Sequence, residues 1–232
     1  MSDMLYDVWW QDTSNGEQSM EEDHLKGWQQ TIDEMEEHSL EGKVILDFGC
    51  NQGGFLRHLY NYSPYKKAVG IDLARESIKV ANQRKGDLPI TYEATAQVES
   101  YGQAFDLAFS TSVIYLMEDL YAHARQIKDV MKPGGIYYAT FSDQSKNPSL
   151  NYMKAQIDRF GTTPMQLHTL DDIAKAFISE GFTVEIKRVK PKQFINVNRN
   201  SEFYQSVSDR MMSEYESSYL LRFIAPKKGE NR

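Results

Sequence analysis

A doubly wound α/β sheet, mostly parallel, seven-stranded and Rossmann-like, with an antiparallel strand pair at one edge, is the fold this sequence predicts. Three observations carry the prediction. Short apolar, β-rich segments alternate with helical patterns between residues 44 and 141, the signature of strand–helix–strand units. The first such segment runs straight into a glycine-dense turn, "VILDFGCNQGG" at 44–54. The last two apolar segments, 183–189 and 218–225, lack a sheet-building crossover helix between them, which favours antiparallel pairing.

The elements follow in order. Residues 17–39 read as a helix, because Met20, Leu25, Trp28, Ile32 and Met35 form a rough helical stripe among charges;. Strands are expected at 44–48, 67–72 ("KAVGID"), 89–93 ("PITYE"), 105–110 ("FDLAFS") and 135–141 ("GIYYATF");. Helices are expected near 53–62, 75–84 and 114–131. In the last of these, Leu120, Ala124, Ile127 and Met131 share one face before "KPGG" stops the pattern;. Further on, Thr169 is placed as an N-cap with Asp172 three residues later, opening a helix that runs into Gly181;. Stretches 143–168 and 190–217 read as insertions, the second carrying a helix near 201–214. Segment 1–42 precedes the main domain, 43–232, as a helical and aromatic lid.

Composition narrows the function. The 232 residues are 41% apolar with 11 Phe and 14 Tyr, enough for a sizeable core;. One cysteine excludes an internal disulfide and fits a reducing compartment;. The sequence shows neither an apolar run of membrane-spanning length nor a charged-then-apolar start, so a cytoplasmic protein without membrane contact is expected;. Residues 1–42 hold 12 acids and a single base, Lys26, whereas the remaining residues carry a net charge of +4. An acidic leader repels phosphate and argues against nucleic acid as the primary partner.

The turn after the first strand carries the chemistry. Asp47 precedes Gly49 by two residues, and a carboxylate there would repel a pyrophosphate seated on the following helix N-terminus;. A ligand with a cationic or neutral group near the turn is favoured instead. S-adenosylmethionine offers an ammonium, a sulfonium and no phosphate. The nucleotide fingerprint G-x-G-x-x-G also fails at its second glycine, Asn51, a residue that still tolerates the left-handed region;. Asp72 ends the next strand 25 residues after Asp47, where a carboxylate can accept both ribose hydroxyls of an adenosine;. That spacing suits NAD equally well.

With "LDFGCNQGG", "VGIDLARESIKVA", "FDLAFSTSVIYLMED" and "MKPGGIYYATF" in this order and spacing, residues 44–141 resemble a class I S-adenosylmethionine-dependent methyltransferase of the kind acting on small molecules such as quinone precursors;. The resemblance implies S-adenosylmethionine as cofactor, S-adenosylhomocysteine as product and a small-molecule substrate. It implies that Asp47, Gly49, Cys50 and Gly53 line the methionine portion, with Asn51 in the same turn. Asp72 would hold the ribose, Leu73 would pack on the adenine, and Thr95 and Ala96 would lie beside it. Ser110 would face the methionyl group. Two positions depart from the family pattern: Asn51 stands for a glycine and Thr95 for an acid. After the fourth strand "STSV" replaces the "PPY" of amide and exocyclic-amine methylases, which argues against adenine, cytosine or glutamine as acceptor.

Other residues admit duller roles alongside chemical ones. Asp47 could cap the following helix, and Cys50 could be a small packed residue;. Tyr6, Trp9 and Trp10 suit either a lid over substrate or the packing of the first helix. Tyr115 could wall the pocket or orient a nucleophile, and His168 could be a catalytic group or a surface residue beside the N-cap;. No histidine has a metal-ligand spacing partner, so no metal is expected;. Rival readings are an NAD-dependent oxidoreductase, a non-catalytic adenosine-binding regulatory domain, and methylation of tRNA or protein; a basic groove of Lys187, Arg188, Lys190 and Lys192 would favour tRNA, although these four could equally be the solvated face of an edge strand;.

Overall fold

The computed structural model describes residues 16–160, 163–198, 200–227 and 229. Its helices are α1 (Gly16–Glu34), α2 (Gly54–Tyr62), α3 (Arg75–Arg84), α4 (Leu120–Val130), α5 (Leu150–Phe160), α6 (Leu170–Ser179) and α7 (Val207–Met212). Its strands are β1 (Val44–Phe48), β2 (Lys67–Asp72), β3 (Ile90–Ala94), β4 (Phe105–Ser110), β5 (Met131–Ser142), β6 (Thr183–Arg188) and β7 (Ser218–Ile224). They form one seven-stranded sheet in the order β3-β2-β1-β4-β5-β7-β6. The first five pair in parallel, and β7 runs antiparallel to both β5 and β6. Strand order reverses between β1 and β4, which opens a crevice beyond their carboxyl ends;. Asp47 stands in that register between Gly70 of β2 and Phe109 of β4.

Apolar layers cover both sheet faces. Ile32, Met35, Phe55, Leu59 and Ile78 pack α1, α2 and α3 on one face. On the other, Ala124, Ile127, Ile173 and Phe177 pack α4 and α6, and the Phe177 and Phe223 rings stack with centroids 3.8 Å apart. His123 is buried in this second layer, its Nε2 3.0 Å from the Tyr137 hydroxyl. Burial pushes its pKa down to about 4. An unfolded chain takes up that proton below about pH 6.5, so this group lowers stability as pH falls from there towards 4. The Thr169–Asp172 capping box forms in full, with both reciprocal bonds present;.

Four expected boundaries move. Helix 17–39 stops at Glu34 because the Glu36 N–H donates to the Tyr138 hydroxyl, which in turn donates to Glu37. Arg222 pairs with Glu36 and Glu37 from the same strand layer. Helix 114–131 begins only at Leu120, where Asp119 Oδ1 caps the Tyr121 and Ala122 amides, while Ile114–Leu116 forms a separate 3-10 turn. Strand 135–141 starts early, at Met131: "KPGG" lies inside β5 across a register shift opposite Phe105 and Leu107, with Lys132 paired to Asp106 at 2.8 Å. The helix near 201–214 is broken into a 3-10 turn (Asn200–Glu202), α7 and a π turn (Ser213–Ser217). Asn147 Nδ2 donates to the Asp209 carbonyl and Ser149 Oγ to its carboxylate, which anchors the broken piece to the loop after β5. Tyr6, Trp9 and Trp10 lie outside the described residues.

Candidate cofactor and acceptor site

The turn after β1 is drawn onto β2 by two amides, Gly49 N–H and Cys50 N–H, which share the Ile71 carbonyl at 2.8 and 2.9 Å. Gly49 takes a φ of 81° and Asn51 a φ of 46°. Asparagine therefore occupies the left-handed conformation that glycine would have supplied. Asp72 locks this turn to the next: its Oδ2 accepts the Asn51 N–H and its Oδ1 the Ala74 N–H, at 2.8 and 2.9 Å.

Gly53 serves packing as much as any ligand. It begins α2 at a φ of 72°, and a Cβ there would sit 2.3 Å from the buried Tyr92 ring. Tyr92 also donates its hydroxyl to the Gly53 carbonyl. Gly53→Ala is thus expected to cost about 2–4 kcal/mol through left-handed strain and overpacking. A urea titration checks this by a lower midpoint at unchanged slope.

Asp47 is the electrostatic anomaly of the site. It is 1% exposed, and neither carboxylate oxygen has a hydrogen-bond partner. Burial, and secondarily the charge of Asp72, push its pKa up to about 8. It does not cap α2, whose N-cap is Gly53 without any side-chain bond. Asn51 Oδ1 and Ser110 Oγ are likewise buried without a partner, so three orphaned polar side chains belong to the ends of β1 and β4. Leu73 beside them is 55% exposed. Cys50 turns into the core against Gly70, and burial pushes its thiol pKa up, leaving only its backbone on the turn. Thr95 accepts the Gln97 N–H through its hydroxyl, and the Ala96 carbonyl accepts from Gln126 Nε2.

The loop after β4 joins this turn to a second cavity. Val113 presses on Gly49, where an added Cβ would meet its Cγ2 at 2.4 Å. Two residues on, Tyr115 lines a small cleft of about 90 Å³, partly open to solvent, at the end of β5. Its other walls include Phe141, Gln144, Met165 and His168. Both Tyr115 and His168, the two catalytic candidates in the sequence, meet here. Gln144 is a residue the sequence reading missed, although its place just past the end of β5 was a usable signal. Val113 and Tyr92 were missed too, since nothing local marks a side chain that fills the space beside a distant glycine.

Three of the four basic residues near the tail are paired within the chain. Lys187 pairs with Glu34 at 2.6 Å and Lys192 with Asp33 at 3.3 Å, while Arg188 donates to the Tyr219 hydroxyl. Lys190 lends its carbonyl to Gln30. Among the described residues no cluster of three or more His, Cys, Asp or Glu could hold a metal ion, and no helix is long and apolar enough to cross a membrane.

A family model for the methyltransferase domain matches residues 20–186, most of the chain. The chain belongs to the methyltransferase-domain family. Its sheet has the fold of solved S-adenosylmethionine-dependent methyltransferases. Among relatives of this methyltransferase domain is the tRNA U34 carboxymethyltransferase of Campylobacter lari, 33% identical over 106 residues, or 43% of this chain and 35% of that one. The malonyl-[acyl-carrier protein] O-methyltransferase of Anoxybacillus flavithermus is 28% identical over 106 residues, 44% of this chain and 40% of that one. The matches thus span little more than a third of these relatives' length. In structure, a chain from the complex between the Haloferax volcanii Trm112 methyltransferase activator and a methyltransferase superposes with a TM-score of 0.78 at 17% identity, covering 95% of this chain and 97% of that one.

Proposed function

We propose that this methyltransferase domain binds S-adenosylmethionine across the carboxyl ends of β1, β2 and β4 and transfers its methyl group to a small-molecule acceptor. The observation that carries the reading is the buried, unpartnered Asp47 carboxyl. A charge held in the interior without a partner is costly, and a ligand ammonium, met directly or through one ordered water, removes that cost. Asp72, fixed at the end of β2 by the Asn51 and Ala74 amides, is the carboxylate for the ribose hydroxyls;. Exposed Leu73 offers an apolar face to the adenine. Gly49, Asn51, Gly53 and the Cys50 backbone complete the turn, Thr95 and Ala96 stand on the adenine side, and Ser110 closes the methionyl side.

The sulfonium supplies an electrophilic methyl when bound, so the protein's own part is to align the acceptor in line with it and to exclude water. We assign residues 43–232 to this function, with 1–42 as a covering segment.

The relative from Campylobacter lari is named for transferring a carboxymethyl group to tRNA. Two features count against that reading here. A carboxymethyl group brings a carboxylate to the acceptor cleft, whose walls include neither Lys nor Arg. Of the tail cations that would grip phosphate, Lys187, Arg188 and Lys192 are engaged within the chain.

Calorimetric titration with S-adenosylhomocysteine, with NAD in parallel, tests the reading. Binding of the former alone is expected; binding of NAD alone would replace the methyltransferase reading with an oxidoreductase one.

A further inference from the structure

The two edges of the sheet are finished differently. On β3, the Pro89 carbonyl accepts the Ala68 N–H, and the parallel register with β2 then turns the backbone of Thr91 and Glu93 inward;. The carbonyls of Ile90 and Tyr92 face out. Both are taken up by side chains from the end of α3: Lys85 Nζ donates to the Ile90 carbonyl at 2.9 Å, and Asn82 Nδ2 to that of Tyr92 at 3.0 Å. That edge is closed.

On β6 the ladder to β7 continues one residue past the strand, where the Val189 N–H donates to the Ser218 carbonyl at 2.9 Å. Bonded positions alternate in an antiparallel pair. Thr183, Glu185 and Lys187 therefore face β7, while Val184, Ile186 and Arg188 turn their amides and carbonyls outward. Among the described residues no hydrogen bond reaches these outward groups. Ile186, the middle one, is also 44% exposed. That edge is open.

The charges along β6 fit a second copy of the same strand. The side chains of Glu185 and Lys187 share the α1 face, where Glu185 accepts from Arg222 and Lys187 pairs with Glu34. A second β6 laid antiparallel, with the two-fold axis at Ile186, sets each Glu185 opposite the other copy's Lys187. A row of alternating charge results: Arg222, Glu185, then the other copy's Lys187 and Glu34. Moving the axis one residue either way sets Glu185 against Glu185 or Lys187 against Lys187, which is destabilising. The register centred on Ile186 also matches outward donors to outward acceptors. Ile186 pairs with its own copy across the axis, and Val184 pairs with Arg188 on either side.

We propose that β6 is a self-association edge, along which two copies of this chain join antiparallel about an axis at Ile186, so that the two sheets become one. The joint satisfies the outward backbone groups and buries Ile186 against its copy, in an isologous contact. A joint of one short strand is small beside obligate dimer interfaces, so association depends on concentration. β6 runs parallel to β1 and β4, since β7 alone is reversed. The axis therefore turns the second copy's crevice to the opposite end of the joined sheet. Each crevice stays complete within one chain.

The test is sedimentation of the full chain across a range of concentrations, beside two charge variants. The unaltered chain is expected to pass from monomer to dimer as concentration rises. Glu185→Lys sets cations opposite each other at both positions and Lys187→Glu sets acids there, so each variant alone is expected to associate at least about tenfold more weakly. Mixing the two variants restores unlike pairs at both positions, and the mixture is expected to form a heterodimer. A variant that had merely failed to fold could not recover in this way, and melting curves identify such a variant independently. Amide exchange gives a residue-level readout: the Val184, Ile186 and Arg188 amides are expected to slow with rising concentration, while those of β3 stay unchanged. A monomer at every concentration would overturn the proposal and leave the edge to solvent or to a strand of another protein. A dimer indifferent to both charge variants would overturn the assignment to this edge. Folded variants that remain apart on mixing would overturn the register.

Discussion

Asp47→Asn is expected to weaken S-adenosylhomocysteine binding by about 10- to 100-fold, the loss of one charge-assisted contact, and to raise the stability of the ligand-free protein. The two effects share one cause. The carboxyl titrates at about 8 in the folded chain against an ordinary 3.8. Between those values the folded state binds the extra proton, so stability falls as pH rises through the window. At pH 7 the cost amounts to about 4 kcal/mol if the whole shift is realised. A buried amide without partners keeps part of that cost, which leaves a net gain of about 1–3 kcal/mol for the variant at pH 8. Below about pH 3 the gain should vanish, because the wild-type carboxyl is then protonated in both states, and at pH 4.5 it should already be much reduced. Thermal melts of both proteins at pH 4.5 and pH 8 check this, since the opposing contribution of His123 is common to both and cancels. A variant that loses both affinity and stability at pH 8 would make Asp47 a structural residue.

Asp72→Ala is expected to lower affinity and stability together. Removing the carboxylate takes a charge-assisted bond from the ribose, about 1.5–3 kcal/mol of binding. It also strips the Asn51 and Ala74 amides of their acceptor, which costs roughly 1–3 kcal/mol of folding stability. The two aspartates would therefore agree in their effect on binding and differ in sign on stability. Calorimetry at a temperature well below both melting points separates the terms. An unchanged dissociation constant for Asp72→Ala would move the ribose elsewhere.

Much of the fold is legible because its signals are local. β1, β2 and β4 match their expected bounds since parallel strands buried on both faces read as unbroken apolar runs;. The capping box at Thr169 follows from residues three positions apart, and the antiparallel edge pair β6 and β7 from the lack of a sheet-building crossover helix between two apolar segments. Where α1 ended early, the cause lies far away in the chain. Tyr138 and Arg222 end α1 from over 100 residues downstream, and no periodicity within 17–39 could report that. The apolar pattern of 114–131 continues through a 3-10 turn, which conceals the loop bearing Val113 and Tyr115.

The same division holds at the site. Asp47, Asn51 and Asp72 were visible as chemistry out of place after a strand. The burial that leaves Asp47 unpartnered was not visible, because it depends on how the turn closes over it. Gly53 was visible as a glycine, whereas its partner Tyr92 arrives from β3. Gln144 and His168 stand 24 positions apart and meet only because the 143–168 insertion folds back over β5.

The pairing of Asp47 with the ligand's ammonium is tested most directly by proton release. S-adenosylhomocysteine is titrated calorimetrically at pH 7 in two buffers of different ionisation enthalpy, and again at pH 9.5. A carboxyl that is protonated in the free protein and charged in the complex predicts release of about one proton per site at pH 7, giving way to uptake at pH 9.5, where the carboxyl is already charged and the free ligand's amine has lost its proton. Tight binding with no proton release at pH 7 would contradict it, leaving Asp47 buried, neutral and untouched by the ligand.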